Sequence, residues 1–368
     1  MSLKEMLTRY ANRSQTPVGI RTLIDTGTGK LLGKGQGNWK ETAEMLRQLN
    51  GGEKSRLPAE IGEEERRKLA RVQIASFLRR ELPVRFAHRA RELSHAPYDL
   101  GSMPAIQEVK NWYEQSFEEV MSFDEARLAG AIDAEDEAFK DMLSSIYLRH
   151  QDTLVMIAKG LHEFQQSERG RALLQERNKD LSDVREIHEY FDRFFLSRIA
   201  IRILIGHFLE LYEEQAPDFV GLVCLKTSAA QVARAAAEDA RYMCERQYGE
   251  APDVEFLGRV DLTFPYIPSH LYYVLFELLK NSMRAVAERR VDDEDMPPVR
   301  VVIADGEENE DVVIRISDLG GGIPRSISQK VFSYLFTTAH DAFPEHLEDL
   351  HDFGRENPMA GLGYGLGV

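Results

Sequence analysis

The chain has 368 residues, enough for two domains at roughly 100 to 200 residues each, and is 43% hydrophobic, 29% charged and 9% aromatic. Those values exclude collagen-like, mucin-like and wholly disordered chains. Acidic side chains outnumber basic ones by 61 to 46, and the formal charge of −15 repels phosphate backbones and anionic lipid, so no nucleic-acid partner is expected.

Taken from the amino terminus, the first residues (Met1, Lys4, Arg9, Arg13, Arg21) are mildly basic and hold few acids, among them Glu5. They read as an ordinary basic amino terminus or the remnant of an organelle-targeting leader. Residues 26–65 form a Gly-rich stretch, with Thr26-Gly27-Thr28-Gly29-Lys30 and Gly33-Lys34-Gly35-Gln36-Gly37, and read as a flexible insertion. The Gly-Lys pairs lack phosphate-loop spacing and no apolar strand leads into them. From Arg66 to about Tyr212, apolar residues recur at helical steps, as in Leu69, Val72, Ile74, Phe77 and Leu78 and in Tyr190, Phe191, Phe194, Phe195, Ile199 and Ile203. Pro83, the Pro97 to Pro104 stretch, Gly160 and Gly170 are expected to punctuate this region into long elements of an antiparallel bundle. The most apolar stretch, Ile199 to Leu211, is interrupted by Arg202 and His207 and is too short to cross ~30 Å of hydrocarbon, so no membrane span is expected.

The pattern changes near residue 215. Phe219 to Val223 is β-rich, Ser228 to Gln247 is helical, and Val299 to Ala304 and Asp311 to Ser317 read as strands joined by a turn over residues 305–309. The expected division is therefore a helical domain over 1–214 and a mixed α+β domain over 215–368. Only two cysteines occur, Cys224 and Cys244, too few for a disulfide framework, which suggests a reduced compartment or buried thiols.

Three segments of the second domain carry chemistry. The first lies on a helix expected from about Ser269, as its cap, to Arg289. Glu277 and Asn281 stand four residues apart on one helical face, while Leu275, Leu278 and Leu279 serve the packed side. A carboxylate and a carboxamide so placed offer oxygen ligands for Mg²⁺, or one ligand beside one general base. The second, Asp318-Leu319-Gly320-Gly321-Gly322-Ile323, follows a strand, so that the carboxylate can accept from an exocyclic amine while glycines let the backbone approach a ligand. The third, Gly361-Leu362-Gly363-Tyr364-Gly365, can present N–H groups to phosphate oxygens. No His, Cys, Asp or Glu spacing suggests zinc.

In this order the three segments resemble the N box and two glycine boxes of the ATP site shared by gyrase, Hsp-type chaperones, sensor histidine kinases and MutL-type repair proteins. Within that superfamily, several phrases resemble the mitochondrial 2-oxoacid dehydrogenase kinases: Glu81-Leu82-Pro83-Val84-Arg85, Phe191-Asp192-Arg193-Phe194-Phe195, Tyr266-Ile267-Pro268-Ser269-His270-Leu271 and Lys280-Asn281-Ser282-Met283-Arg284-Ala285. The resemblance implies a four-helix, histidine-phosphotransfer-like bundle followed by a Bergerat-type ATP-binding α/β sandwich. It implies a protein serine kinase of the mitochondrial matrix that uses ATP and Mg²⁺ to inactivate the decarboxylase component of a 2-oxoacid dehydrogenase complex. Further partners would be the lipoyl domain of the acyltransferase core and a second copy of the chain. Glu277 would be the general base, Asn281 the Mg²⁺ ligand and Asp318 the reader of the adenine amine. Lys280 and Arg284 would face phosphates. Gly320, Gly322, Thr337, Thr338, Gly361, Leu362, Gly363, Tyr364, Gly365 and Leu366 would line the nucleotide.

Two departures stand out. Tyr273 occupies the position four residues before the base where pyruvate dehydrogenase kinases usually carry His, so tuning of Glu277 would rest on a neutral hydrogen bond. In the family the last glycine box runs into a helix and further strands, whereas here Gly365-Leu366-Gly367-Val368 closes the chain. The second domain is thus expected to be incomplete and its turnover of ATP low. Pro97-Tyr98, Glu238-Asp239-Ala240-Arg241 and Ile323-Pro324-Arg325-Ser326 favour the pyruvate complex over the branched-chain one. Two other classes remain: a histidine kinase using His150, whose blander reading is a hydrogen-bonded structural residue, and a non-catalytic regulatory chain that binds through the bundle.

Overall fold

The computed structural model describes residues 2–28, 63–123, 132–177, 181–214, 216–289, 295–306, 311–328 and 330–334. The chain forms two compact units, Met1–Ala172 with Arg193–Val223, and Leu173–Asp192 with Cys224–Val368. Most of the Gly-rich stretch at 26–65 lies outside the described residues.

In the first unit the elements are α1 (Leu3–Ala11), α2 (Ile20–Gly27), α3 (Glu63–Ser94), α4 (Pro104–Ser122), α5 (Ile132–Arg149), α6 (Thr153–Gln166), the early part of α7 (Glu168–Arg177) and the later part of α8 (Arg185–Glu210). A capping box starts α1: Ser2 Oγ accepts from the Glu5 N–H and Glu5 Oε2 from the Ser2 N–H, at 3.3 and 2.9 Å. Helices α1, α2 and α4 pack on α3, and α4 packs on α6. A short strand, β1 (Phe219–Val220), follows α8 and ends at Gly221, whose φ of 55° breaks the β-rich stretch expected to run on to Val223.

Pro83 does not end a helix, as its sequence context suggests, but lies inside the 32-residue α3. The ring removes one backbone donor, yet Leu78, Leu82 and Phe86 around it are fully buried, and their burial outweighs one lost bond. Gly160 is likewise interior to α6, where a Cβ would stand 2.5 Å from Ile106 Cδ1. Its role is close approach of α6 to α4 rather than termination. Gly170 lies inside α7, where a Cβ would meet the Phe164 carbonyl.

Two buried charges of α3 pair with each other. Glu81 and Arg85, both about 95% buried, form an ion pair at 2.9 Å. The same carboxylate accepts from the N–H and Oγ1 of Thr16, while Arg85 donates to the Thr16 carbonyl at 2.6 Å. This clamp ties the segment after α1 to α3. His150 is buried, with Nε2 3.0 Å from Ser116 Oγ and its ring 4.3 Å from that of Tyr113. Arg149 beside it grips both Glu119 carboxylate oxygens at 2.8 and 2.7 Å. Burial, reinforced by Arg149, Arg198 and Arg202, holds the His150 ring neutral, its pKa lowered to about 3. A buried neutral imidazole engaged with a serine fits the structural reading of His150 rather than a phosphate acceptor. His207, packed under Gly221, is also lowered by burial, to about 4.

In the second unit, β2 (Val223–Ser228) pairs antiparallel with β4 (Thr263–Tyr266). A three-stranded sheet runs β3 (Val254–Gly258), β5 (Val299–Asp305), β6 (Val312–Ser317), with β3 parallel and β6 antiparallel to the central β5. The parallel pair requires a crossover, and the chain between these strands includes α10 (Pro268–Glu288). Ser228 caps α9 (Ala229–Tyr248), and Gly249 closes it in the left-handed conformation at φ 82°. Alternate β5 residues Val299, Val301 and Ile303 are fully buried with Leu275, Leu279 and Met283 of α10 and the alanines of α9. Both cysteines are free and buried, and burial pushes the Cys244 thiol up to about 11.

The pH dependence of stability follows from the two histidines. Both bind fewer protons folded than unfolded between pH 6.5 and their lowered values, so stability falls as pH drops through that window, by about 1.4 kcal/mol per pH unit for each ring. Urea unfolding at pH 7, 6 and 5 is expected to show a shallower decline for His207→Gln than for the unaltered chain, whatever the offset in stability at pH 7.

Candidate functional site

Helix α10 supplies the first half of the site. Its cap is not Ser269, as the sequence suggests, but Ile267, with Pro268 in the first turn, where a missing N–H costs nothing. One face of the helix, Leu275, Leu279, Met283 and Val286, enters the core. Positions 277, 281 and 284 recur on another face at helical spacing. Glu277 and Lys280 are more than 90% buried, yet face each other: Lys280 Nζ donates to Glu277 Oε1 at 2.8 Å. Lys280 Nζ also lies 5.3 Å from the centre of the Phe276 ring. The buried carboxylate is therefore paired with an ammonium rather than left as an uncompensated charge. Asn281 is half-buried beside them, and Arg284 reaches Glu288 at 3.2 Å. Tyr273 is 41% exposed.

The second half comes from the turn after β6, where both Asp318 oxygens are engaged. Ser282 Oγ donates to Oδ2 at 2.9 Å, and the Gly320 N–H donates to Oδ1 at 2.9 Å. The serine on α10 thus fixes the carboxylate from the helix side and the turn fixes it from within. Gly320 has no space for a side chain, since a Cβ would stand 2.4 Å from Ala285 Cβ and 2.6 Å from its carbonyl carbon. Gly321 and Gly322 take φ of 98° and 73°, conformations that only glycine adopts without strain. Arg289 donates to the Leu319 carbonyl at 3.3 Å.

Glu277, Lys280, Asn281, Arg284, Asp318, Gly320 and Gly322 therefore belong to one unit, with Asp318 joined to α10 through Ser282. Thr337, Thr338, Gly361, Leu362, Gly363, Tyr364, Gly365 and Leu366 lie outside the described residues. Ser282 and Ala285 were missed as contributors, although they sit in the same helical turn as Asn281 and the spacing i, i+4 from Leu278 and Asn281 marks that turn. Among the described residues no group of three or more His, Cys, Asp or Glu side chains is poised for a metal, and no helix is long and apolar enough to cross a membrane. A site with one or two protein oxygen donors suits Mg²⁺, which retains water and phosphate ligands. The Asn281 carboxamide is such a donor.

Residues 57–224 match a family model described as mitochondrial branched-chain alpha-ketoacid dehydrogenase kinase. Residues 266–367 match one described as histidine kinase-, DNA gyrase B- and HSP90-like ATPase. Among curated proteins, the chain is 42% identical to the mitochondrial pyruvate dehydrogenase (acetyl-transferring) kinase of Arabidopsis thaliana, over 80% of this chain and 76% of that one. The proteins of the same name from Ascaris suum and Drosophila melanogaster are 37% and 35% identical, each over 79% of this chain and 69% of the relative.

The close approach of Gly320 to Ala285 has a measurable consequence. Gly320→Ala is expected to destabilise the fold by about 1–3 kcal/mol through forced displacement of the turn. Gly306→Ala, where an added Cβ meets nothing within 4 Å, should change stability by less than about 0.5 kcal/mol. Paired denaturant titrations of the two variants provide the check.

Proposed function

The chain belongs to the mitochondrial 2-oxoacid dehydrogenase kinase family and is an ATP-dependent protein kinase, and we propose that its substrate is a serine of the decarboxylase component of the pyruvate dehydrogenase complex, which phosphorylation switches off. The observation that carries this reading is the shared site in the second unit, where Glu277 and Asn281 rise from one helix and Asp318 is fixed to that helix through Ser282. The names of the relatives support the choice of complex. The branched-chain description of the model matched by the helical part makes the branched-chain decarboxylase the necessary comparison.

In this reading Glu277 accepts the proton of the substrate serine as its oxygen bonds to the γ-phosphorus and the bond from that phosphorus to the β-phosphate bridging oxygen breaks, releasing ADP. Such transfer asks chiefly for alignment and charge neutralisation. Lys280, held against Glu277, fixes the direction of the carboxylate, and is near enough in sequence to Asn281 and Arg284 for all three to serve one phosphate chain. Asp318, with each oxygen already accepting one hydrogen bond, retains lone pairs for the adenine amine. Bound Mg²⁺, held by Asn281, would supply positive charge at the phosphates. Gly320 and Gly322, Thr337 and Thr338, and residues 361–366 complete the nucleotide contacts. The helical unit binds the lipoyl domain of the acyltransferase core, the chain forms a homodimer, and the setting is the mitochondrial matrix.

The test is transfer of phosphate from ATP to each purified decarboxylase component. Whatever the rate of the unaltered chain, Glu277→Gln is expected to lower it at least a hundredfold while nucleotide binding persists. Equal transfer by the variant would remove Glu277 from its role as base. Preference for the branched-chain component would reassign the substrate.

A further inference from the structure

The face of α10 that meets the glycine turn carries two small residues three positions apart, Ser282 and Ala285. Ala285 lets the turn come close, since Gly320 packs against its Cβ and backbone with no space for a side chain. Ser282 makes a polar contact across the same approach. It is 8% exposed, and its Oγ donates to Asp318 Oδ2 at 2.9 Å while the Gly320 N–H donates to Oδ1 at 2.9 Å. The turn is held again from the end of the helix, where Arg289 donates to the Leu319 carbonyl at 3.3 Å. Carboxylate, turn and helix are thus fixed to one another inside one compact unit.

In the Ser282–Asp318 bond the hydroxyl is the donor, because a carboxylate brings acceptors only. A serine has one hydroxyl proton and two lone pairs, so once that proton is committed to Asp318 the side chain has only acceptors left. The Gly320 N–H is committed to the same carboxylate. What the Ser282–Asp318 pair shows a ligand is therefore lone pairs. An exocyclic amine can donate to them. A carbonyl oxygen in the same place meets oxygen with no proton between, the kind of mismatch on which strong discrimination rests. We infer that Ser282 is a positioning residue that sets the choice of nucleotide base: by holding Asp318 Oδ2 from the helix it aims the remaining lone pairs at an amino group on the 6-position of a purine, and makes the site refuse a purine with a carbonyl oxygen there. Ser282 touches no reacting atom. Without its hydroxyl, Asp318 keeps the bond within its own turn and loses the one that ties it to the rigid helix. The inference rests on the reading in which Asp318 faces the adenine amine, and is independent of Glu277 as the base.

The experiment is calorimetric titration, with Mg²⁺ present, of three nucleoside triphosphates into the full chain and its Ser282→Ala variant, with circular dichroism as the control for folding. The three are ATP, purine riboside triphosphate, which has hydrogen in place of the amine, and inosine triphosphate, which has a carbonyl oxygen there. Ser282→Ala is expected to weaken the Kd for ATP by roughly three- to tenfold, the scale of one net hydrogen bond, and to leave the Kd for purine riboside triphosphate within about twofold. The preference for ATP over inosine triphosphate narrows with it. A serine that only supported the fold would weaken all three nucleotides alike; that result, or unchanged ATP binding by Ser282→Ala, overturns the inference. If Ser282→Ala does not fold, Ser282→Cys, which puts a weak donor in place of a strong one, decides by the same comparison. An unaltered chain that binds purine riboside triphosphate as tightly as ATP sinks the assignment of Asp318 to the amine, and the inference with it. An amine that strengthens binding to the unaltered chain, and does so equally in Ser282→Ala, leaves that assignment standing and overturns the role of Ser282 alone.

Discussion

The approach of Gly320 to Ala285 is the constraint on which the second unit's chemistry depends. No side chain fits between the turn after β6 and helix α10, and only that closeness lets Ser282 reach Asp318 across the same gap. The carboxylate is thereby oriented by a rigid helix rather than by its own loop. Since α10 is also the helix that presents Glu277 and Asn281, one packing contact sets the distance between the proposed adenine end of the site and the proposed phosphate end. The core beneath keeps α10 in place: its leucines and Met283 lie against the alanine face of α9 and the buried valines of β5. Small residues on α9 permit that proximity, and β-branched residues on β5 suit the pleated surface.

Buried charge is handled alike in both units, by pairing at one helical turn. Glu81 with Arg85 and Glu277 with Lys280 are both sequence-local ion pairs with little exposure. The first serves structure, because both Glu81 oxygens also accept from Thr16, one of them shared with Arg85. In the second, Lys280 bonds one oxygen of Glu277, and the other is the one the proposed base would use. The two pairs, Glu with Arg and Glu with Lys, differ in what else approaches the carboxylate.

Much of the candidate site was legible in the sequence because its residues stand in short phrases of the chain. Glu277, Asn281 and Asp318 stand in short phrases with helical spacing or a glycine turn, and the strands Val299–Asp305 and Val312–Ser317 carry the period-two pattern that made them readable. The helix that holds Glu277 was readable too, but not its cap, since Pro268 and Ser269 both suit a first turn and only backbone geometry separates them. Pro83 misled for a related reason: the local cost of a proline is visible in sequence, whereas the burial of Leu82 and Phe86 that overrides it is not. Pairings between distant residues, Ser282 with Asp318 and Tyr334 with Asp192, had no signal at all. A serine after an asparagine and an aspartate in an amphipathic helix are ordinary residues until the fold brings their partners to them.

Helix α8 begins in one compact unit and ends in the other. The boundary between the units is consequently not a point on the chain, and the second unit is assembled from two stretches separated by Arg193–Val223 of the first. Recombination or engineering that exchanged everything after residue 215 would carry Tyr334 and Lys330 into a new protein and leave behind their partners Asp192, His188 and Asp183. The unit that would have to be moved whole is discontinuous, and joins the early part of α8 to chain more than a hundred residues downstream.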